Sequence, residues 1–146
     1  MLLKELLPTL KLNILHMGCR TNGQEWQYKG VISPFSRLYF IIDGQARVHH
    51  HNRQYHMTPG TLNLVPCFTL SEYQCPSRFR YYYVHFTSRV KGGMDLFNIG
   101  NFNCQIKATD NCGRLFKRMI QLLPDKDIGE YACHWVRSTR HLPASR

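Results

Sequence analysis

The sequence predicts a mainly β protein whose antiparallel strands form a sandwich or barrel. The first observation is that apolar, aromatic and β-branched residues recur at period two over short runs. The second is that turn dipeptides, such as Asp43-Gly44 and Pro59-Gly60, separate these runs at short spacing. At 146 residues, the chain is long enough for one domain with a substantial core.

The first ten residues predict a short arm. Leucines at positions 2, 3, 6 and 7 have helical spacing, and Pro8 ends the run. Isolated helices of this length are marginal in water, so we expect a packing arm or lid rather than a stable helix.

Two strands are expected after this arm. The alternation of apolar and polar residues over Leu10–Ile14 predicts the first strand, and the Thr-Asn-Gly sequence at 21–23 predicts the turn that follows it. The aromatic run Trp26–Ile32 predicts the second strand, which Ser33-Pro34 ends.

The stretch 37–66 predicts four consecutive strands, around which the rest of the chain is organised. Leu38–Ile42 is an apolar run that the Asp43-Gly44 turn closes. A tight reversal is expected at His51-Asn52, because asparagine tolerates the positive φ that such a turn needs. Pro59-Gly60 turns the chain again before the fourth strand. One face of the hairpin around the reversal is expected to carry Ala46, Val48, His50, Tyr55 and Met57.

The run Phe79–Phe86 is the last clear strand. Both of its faces are largely apolar, so we expect it to be covered on both sides. A shorter strand is expected at 70–73, and the pattern over 95–106 fits either a short strand or a helix. The odd face of the long strand carries Phe79, Tyr81, Tyr83 and His85.

An amphipathic helix is expected over Gly113–Leu123, with Asp110 or Asn111 as its cap and Pro124 as its end. Its apolar stripe is wide enough to pack one edge on the barrel and to offer the other edge to a second copy of the chain. Residues 125–146 show no periodicity and are expected to be irregular or disordered. The stripe consists of Leu115, Phe116, Met119, Ile120, Leu122 and Leu123.

The net charge and the cysteine content indicate which partners and which cellular environment the protein is expected to have. The formal net charge of +10 favours either an anionic partner or a solvated basic surface. Six cysteines without a CxxC pair indicate free thiols in a cytoplasmic protein rather than a zinc ribbon or a disulfide framework. No apolar run is long enough to span a membrane, and the N-terminus lacks the features of a secretory signal, so no membrane contact is expected.

The order and spacing of these elements resemble the N-terminal cupin domain of AraC-type transcriptional regulators, which is their sugar-binding and dimerisation module. The resemblance covers residues 9 to 124 and implies a cupin double-stranded β-helix, a jelly-roll barrel, followed by a C-terminal dimerisation-type α-helix. The matching features are the strand Arg37–Asp43 with Gly44, the hairpin Val48–Met57, the Pro59-Gly60 turn, Leu62–Pro66 and the run Tyr83–Phe86.

The resemblance also implies a domain organisation and partners. The expected units are a ligand-sensing barrel with its arm at 1–108, the helix at 109–124 and the tail at 125–146. The implied partners are a sugar-like small-molecule effector and a second copy of the chain. Regulators of this type read DNA with a C-terminal helix-turn-helix domain, and too few residues follow Leu123 to form one. We therefore expect a sensor domain alone, with DNA as a partner only of the missing domain.

A metal site is the alternative that the histidines at 49–51 and His56 raise. Cupin enzymes usually bind their metal through a His-x-His pair, a nearby carboxylate and a histidine on a later strand. By parity His50 points into the barrel, but Asn52 and Arg53 stand at the next two ligand positions and the later histidine is missing. We expect no metal, no cofactor, no catalytic residues and no enzyme activity. A stand-alone metal-dependent cupin enzyme and a non-enzymatic carbohydrate-binding cupin remain as alternatives.

The candidate ligand site lies on the long strand. Sugar contacts in the resembling domain imply Tyr81, Tyr83 and Tyr73 as ligand-binding residues here, and His85 shares their face. Tyrosine suits a sugar because its ring stacks on C–H faces and its hydroxyl forms hydrogen bonds. The competing interpretation is that these tyrosines simply fill the barrel. His50, Tyr55 and Lys29 complete the predicted site, Lys29 because it aligns with a ligand-binding arginine.

Overall fold

Nine strands form two antiparallel sheets in residues 2–123, the part of the chain that the computed structural model describes. Two short α-helices, α1 (Leu2–Leu6) and α2 (Cys112–Gln121), precede and follow them, and single 3-10 turns lie at Leu7–Thr9 and Leu96–Asn98. The strands are β1 (Lys11–Gly23), β2 (Gln27–Val31), β3 (Ser36–Gly44), β4 (Ala46–His50), β5 (Arg53–Met57), β6 (Thr61–Val65), β7 (Ser71–Gln74), β8 (Arg78–Arg89) and β9 (Gln105–Lys107).

The chain passes back and forth between the two sheets. One sheet has the order β1-β8-β3-β6-β9 and the other has the order β2-β7-β4-β5. Apart from the β4–β5 hairpin and the final β9, each successive strand joins the opposite sheet. This is a cupin-type jelly roll, and it confirms the predicted fold class.

The core lies between the two sheets and is rich in aromatic rings. Trp26, which is only 1% exposed, packs edge-on against Phe79, Tyr73 and Tyr39, with ring centroids 4.7, 5.2 and 6.1 Å away. Such tilted ring pairs add to the hydrophobic contribution of their buried area. The predicted face of the β4–β5 hairpin also points into this core: Ala46, Val48, His50, Tyr55 and Met57 are all buried.

Two predicted turns have the expected backbone geometry. His51 and Asn52 have φ values of 53° and 60°, so the β4–β5 hairpin closes with two left-handed residues, as a type I′ turn does. After Pro59, Gly60 has φ of 80°, and the N–H of Thr61 donates to the carbonyl of Thr58 at 3.1 Å. That combination is a type II turn, which favours proline followed by glycine.

Strand β1 departs from its prediction in two ways. It runs to Gly23, so the turn expected at 21–23 is wrong and the chain reverses immediately afterwards. Leu12 and Ile14 are 66% and 43% exposed, so the apolar face of the predicted strand is not its buried face. The cause is a bulge between Ile14 and His16, because one extra residue in a strand exchanges its two faces.

One edge of the apolar stripe on α2 packs on the barrel and the other edge is exposed, as predicted. Phe116 is buried and stacks on Tyr82 of β8, with ring centroids 5.8 Å apart, and Ile120 packs beside it. Strand β8 is therefore covered on its outer face as well as its inner face. Leu115, Met119, Leu122 and Leu123 are exposed. The helix begins after Asn111, whose side chain makes no capping hydrogen bond.

Several predictions concern the chain's thiols and its ends. Among the described cysteines, Cys67, Cys75 and Cys104 are buried, Cys112 is half-buried and Cys19 is exposed, and all five are free thiols.

The tail at 125–146, with Cys133, lies outside the described residues. No helix within residues 2–123 has the length and apolar character to cross a membrane. The division at 108/109 stays a prediction; it falls between the end of β9 and the start of α2.

Candidate functional site in the barrel interior

The inner face of the five-stranded sheet carries polar and aromatic side chains in register across three strands. His85 of β8 lies between His16 of β1 and Arg37 of β3. The next inward row places Tyr83 between Gly18 and Tyr39, and the third places Tyr81 between Arg20 and Ile41. The three predicted residues of β8 therefore form the central column of this face.

Tyr83 is the centre of a hydrogen-bonded group. Its hydroxyl lies 3.1 Å from Nε2 of His16 and accepts a hydrogen bond from Nε of Arg20 at 3.3 Å. Gly18 allows this arrangement, because a Cβ at that position would lie 3.1 Å from the same hydroxyl. The tyrosine ring can therefore approach β1, the strand that carries both His16 and Arg20.

Tyr81 and His85 extend the same column. The Tyr81 hydroxyl accepts a 2.6 Å hydrogen bond from Nδ2 of Asn22, and its ring centroid lies 5.9 Å from that of Tyr83. The His85 ring lies 5.1 Å from Tyr83 and 5.0 Å from Phe35. All three predicted side chains are at least 95% buried, so ordinary core packing accounts for part of their positions.

Arg37 joins this face to the opposite sheet. Its Nη1 donates to the hydroxyl of Tyr73 on β7 at 2.6 Å, and its Nη2 donates to Oγ of Ser33. The guanidinium carbon lies 5.1 and 5.3 Å from the ring centroids of Phe35 and Tyr73, within cation–π range. Ser71 also donates to the Tyr73 hydroxyl, at 3.1 Å. Tyr73 therefore lies in the interior, as predicted, with a buried cation as its partner.

His50 and Tyr55 form a second group on the smaller sheet. Their rings stack with centroids 4.8 Å apart, and Nδ1 of His50 lies 2.7 Å from Nδ1 of His51. Burial lowers the pKa of His50 to about 4, with smaller contributions from the neighbouring His51 and His49. His50 is therefore neutral at physiological pH and can serve as one donor and one acceptor. His49, His51 and His56 are exposed, as expected.

Lys29 does not share the interior with the other predicted residues. It is exposed and lines a groove of about 380 Å³ on the outer face of the smaller sheet. Arg47, His49, Gln54 and Glu72 line the same groove. Its assignment to the barrel site is therefore corrected: neighbouring Tyr28 and Val31 are the more buried residues of β2, and Lys29 lies on the opposite side.

Sequence reasoning missed Arg37, His16 and Arg20. A signal for Arg37 was present, since it shares the parity of the inward residues Tyr39 and Ile41, and a charge on the core face of a strand is unusual. His16 and Arg20 had no such signal, because the bulge in β1 conceals which face points inward.

The barrel interior combines aromatic side chains with hydrogen-bonding groups, none of which is a carboxylate among the described residues. The buried polar side chains of residues 2–123 are hydroxyls, histidines, one amide and one guanidinium, with no carboxylate among them. No three His, Cys, Asp or Glu side chains within that range are grouped to bind a metal. Apolar walls with a few placed polar groups are typical of small-molecule sites.

Several solved structures are similar to parts of this chain. The EutQ protein of Clostridium difficile aligns with 53% of this chain and 61% of its own, at 18% identity and a TM-score of 0.41. A cupin superfamily protein of Desulfitobacterium hafniense aligns over 52% of this chain and 75% of its own, at 13% identity and a TM-score of 0.43. A salicylate 1,2-dioxygenase of Pseudaminobacter salicylatoxidans aligns over 60% and 32%, at 11% identity and a TM-score of 0.40.

Sequence comparison identifies the family. A search of curated protein sequences gave no match. The family model for the AraC-like ligand binding domain matches residues 14–130. This range contains the whole of α2 and all of the described strands, apart from the first residues of β1. The chain therefore belongs to the family of AraC-like ligand-binding domains.

Proposed function

We propose that this chain is the effector-sensing and dimerisation domain of an AraC-type bacterial transcription regulator, and that its barrel binds a small sugar-like molecule. The observation that carries the proposal is the column Tyr81–Tyr83–His85, whose hydroxyls are hydrogen-bonded to side chains of β1. Rings that can stack on the C–H faces of a sugar are combined there with groups that can exchange hydrogen bonds with its hydroxyls.

The polar partners from β1 give the effector a way to alter the protein. A ligand hydroxyl that bonds to Tyr83 competes with His16 or Arg20 for the same oxygen, so binding would reposition β1 side chains at the edge of the sheet. Binding energy that depends on such a rearrangement is what allows a ligand to shift a conformational equilibrium. The proposal gives the chain no catalytic step and places it in the cytoplasm.

Thermal unfolding in the presence of sugars and related small acids tests ligand binding. A ligand at 100 times its Kd should add about 2.7 kcal/mol to the free energy of unfolding. We expect Tyr83→Phe to weaken binding of that ligand, because it loses the inward hydroxyl. Tyr82→Phe is the matched control, since it removes the same group from the outer face of the same strand. The proposal is wrong if no compound stabilises the protein, or if the two variants bind equally well.

The exposed half of the α2 stripe supports the dimer. Leu115 and Leu122 are 51% and 67% exposed, while Phe116 on the other edge is buried against the barrel. An exposed apolar stripe on a helix that is already anchored suits antiparallel pairing with the same helix of a second copy.

Light scattering tests this dimer. Met119→Glu places a charge in the exposed stripe and should convert a dimeric mass to a monomeric one. Lys117→Glu also adds a carboxylate to α2, at an exposed residue outside the apolar stripe, and should leave the dimer intact. A monomeric unmodified protein, or an unchanged mass for Met119→Glu, would exclude this interface.

A further inference from the structure

We infer that the effector carries a carboxylate and that Arg37 recognises it. The inference deepens the function proposed above and rests on it, because it names the chemical class of the molecule that the barrel takes. The class that fits is a small hydroxylated carboxylic acid, such as a sugar acid.

Arg37 is a buried cation whose described partners are all uncharged. It is 1% exposed, and its guanidinium donates to the hydroxyls of Tyr73 and Ser33. Its Nε has no hydrogen-bond partner among residues 2–123. The rings of Phe35 and Tyr73 also lie within cation–π range of its guanidinium.

A buried charge normally has an opposite charge beside it. Removing a guanidinium from water is costly, and proteins usually offset the cost with a carboxylate in direct contact. None of the buried polar side chains described for residues 2–123 is acidic, so the interior does not supply that carboxylate. A ligand that brings its own carboxylate would supply it.

The geometry of arginine suits a carboxylate. The Nε–H and a neighbouring Nη–H form a planar fork that matches the two oxygens of a carboxylate. In Arg37, the Nε side of this fork is the part without a described partner. A carboxylate bound there would leave the hydrogen bond from Nη1 to Tyr73 in place.

The neighbours of Arg37 define the rest of the ligand. His85 pairs with Arg37 across β3 and β8, and Tyr83 occupies the next inward position on β8. A molecule whose carboxylate lies at Arg37 can therefore extend its hydroxyl groups along His85 and Tyr83. This arrangement accounts for a cation and a row of tyrosines in the same interior.

The competing explanation is that Arg37 is an internal brace that holds Tyr73 and Ser33. A brace would contribute to stability but would give the protein no preference between an acid and its neutral analogue. The comparison of matched ligands therefore separates the two explanations.

Isothermal titration calorimetry with matched pairs is the test, on the full chain at constant ionic strength. The pairs are D-galacturonate with D-galactose and D-gluconate with D-glucitol. We expect at least one acid to bind about 30-fold more tightly than its neutral partner, as truncating a buried charged pair implies. Arg37→Met should abolish that preference, and Arg37→Lys, which keeps the charge without the fork, should reduce it.

The outcomes distinguish this inference from the proposed function. If binding is seen and every acid binds no more tightly than its neutral partner, the carboxylate inference is overturned and the sugar-sensing function stands. If neither member of any pair binds, the sugar-acid inference is overturned, and the thermal-unfolding screen described above decides the proposed function. Should Arg37→Met fail to fold, the acid-to-neutral ratio of the unmodified protein and the Arg37→Lys variant decide the question by themselves.

Discussion

The guanidinium of Arg37 on β3 donates a 2.6 Å hydrogen bond to the hydroxyl of Tyr73 on β7, and the bond links the two sheets inside the barrel. Both side chains are at least 98% buried. A hydrogen bond from a charged donor in such a place is stronger than one between neutral groups, because little water competes for it. The distance between the two walls of the barrel is therefore maintained partly by a polar contact.

Removing the Tyr73 hydroxyl should destabilise the fold. Tyr73→Phe leaves Nη1 of Arg37 buried without its acceptor, and we expect a loss of about 1.5–3 kcal/mol in the free energy of unfolding. Urea denaturation measures the change. The control is Tyr82→Phe on the outer face, which should lose less stability. Equal losses in the two variants would contradict a special contribution from the contact between the sheets.

His50 should make the protein sensitive to mild acid. Burial lowers its pKa in the folded protein to about 4, below the value of 6.5 for an unperturbed histidine. The unfolded chain then binds more protons than the folded one between these values, so stability falls as the pH falls from 6.5 towards 4. The contribution lost over that window is at most about 3 kcal/mol.

The variant that isolates this effect is His50→Phe, which keeps a ring to stack on Tyr55 but cannot titrate. Urea denaturation at pH 7.5 and pH 5 should show a smaller loss of stability in His50→Phe than in the unmodified protein. His56→Ala removes an exposed histidine of β5 and should behave like the unmodified protein. An identical pH dependence in all three proteins would refute the assignment to His50.

Two glycines with similar φ should differ sharply in their tolerance of alanine. Gly44 and Gly60 have φ of 74° and 80°, so each substitution carries the strain of a left-handed residue, about 1–2 kcal/mol. A Cβ at Gly44 would also lie 2.1 Å from the carbonyl oxygen of Arg78, whereas nothing lies within 4 Å of one at Gly60. Thermal unfolding should therefore show Gly44→Ala to be clearly less stable than Gly60→Ala, and a reversed order would contradict the fold at this turn.

Helix α2 should contribute to barrel stability through one edge only. Phe116→Ala removes a ring that stacks on Tyr82 and Phe40, and we expect it to cost about 3 kcal/mol. Leu115→Ala, on the exposed edge, should cost less than about 1 kcal/mol when measured in dilute protein, where association is minimal. If Leu115→Ala proved as harmful as Phe116→Ala, α2 would have to pack differently on the sheet.

The β4–β5 hairpin and the column on β8 could be predicted from sequence because local chemistry determines them. Asn52 fits a left-handed turn, and strict alternation placed Tyr81, Tyr83 and His85 on one face. The same reasoning failed for β1, since the bulge after Ile14 exchanges the two faces of the strand and leaves no mark in the alternation. The inward position of His16 depends on that bulge and is therefore seen only in the folded structure.

The hydrogen-bond partners of the site residues could not be predicted from the sequence either. Tyr73 was predicted as a site residue, but its pairing with Arg37 depends on how the two sheets pack, and the sequence places these residues 36 positions apart. Lys29 shows the converse: alignment suggested a ligand contact, and the strand's orientation places the side chain outside the barrel. Sheet packing and strand orientation are properties of the whole fold rather than of local patterns.

Fluorescence of Trp26 tests most directly whether a small molecule binds in this barrel. Its ring lies 5.2 Å from Tyr73 and 6.3 Å from Tyr81, and a Trp135→Phe background leaves it as the single tryptophan. We predict that a sugar or sugar acid that raises the unfolding temperature will also change the Trp26 emission in a saturable way, and that Tyr83→Phe will shift the titration to higher concentration. If every stabilising compound leaves the emission unchanged, the ligand does not bind in the barrel interior and the central claim fails.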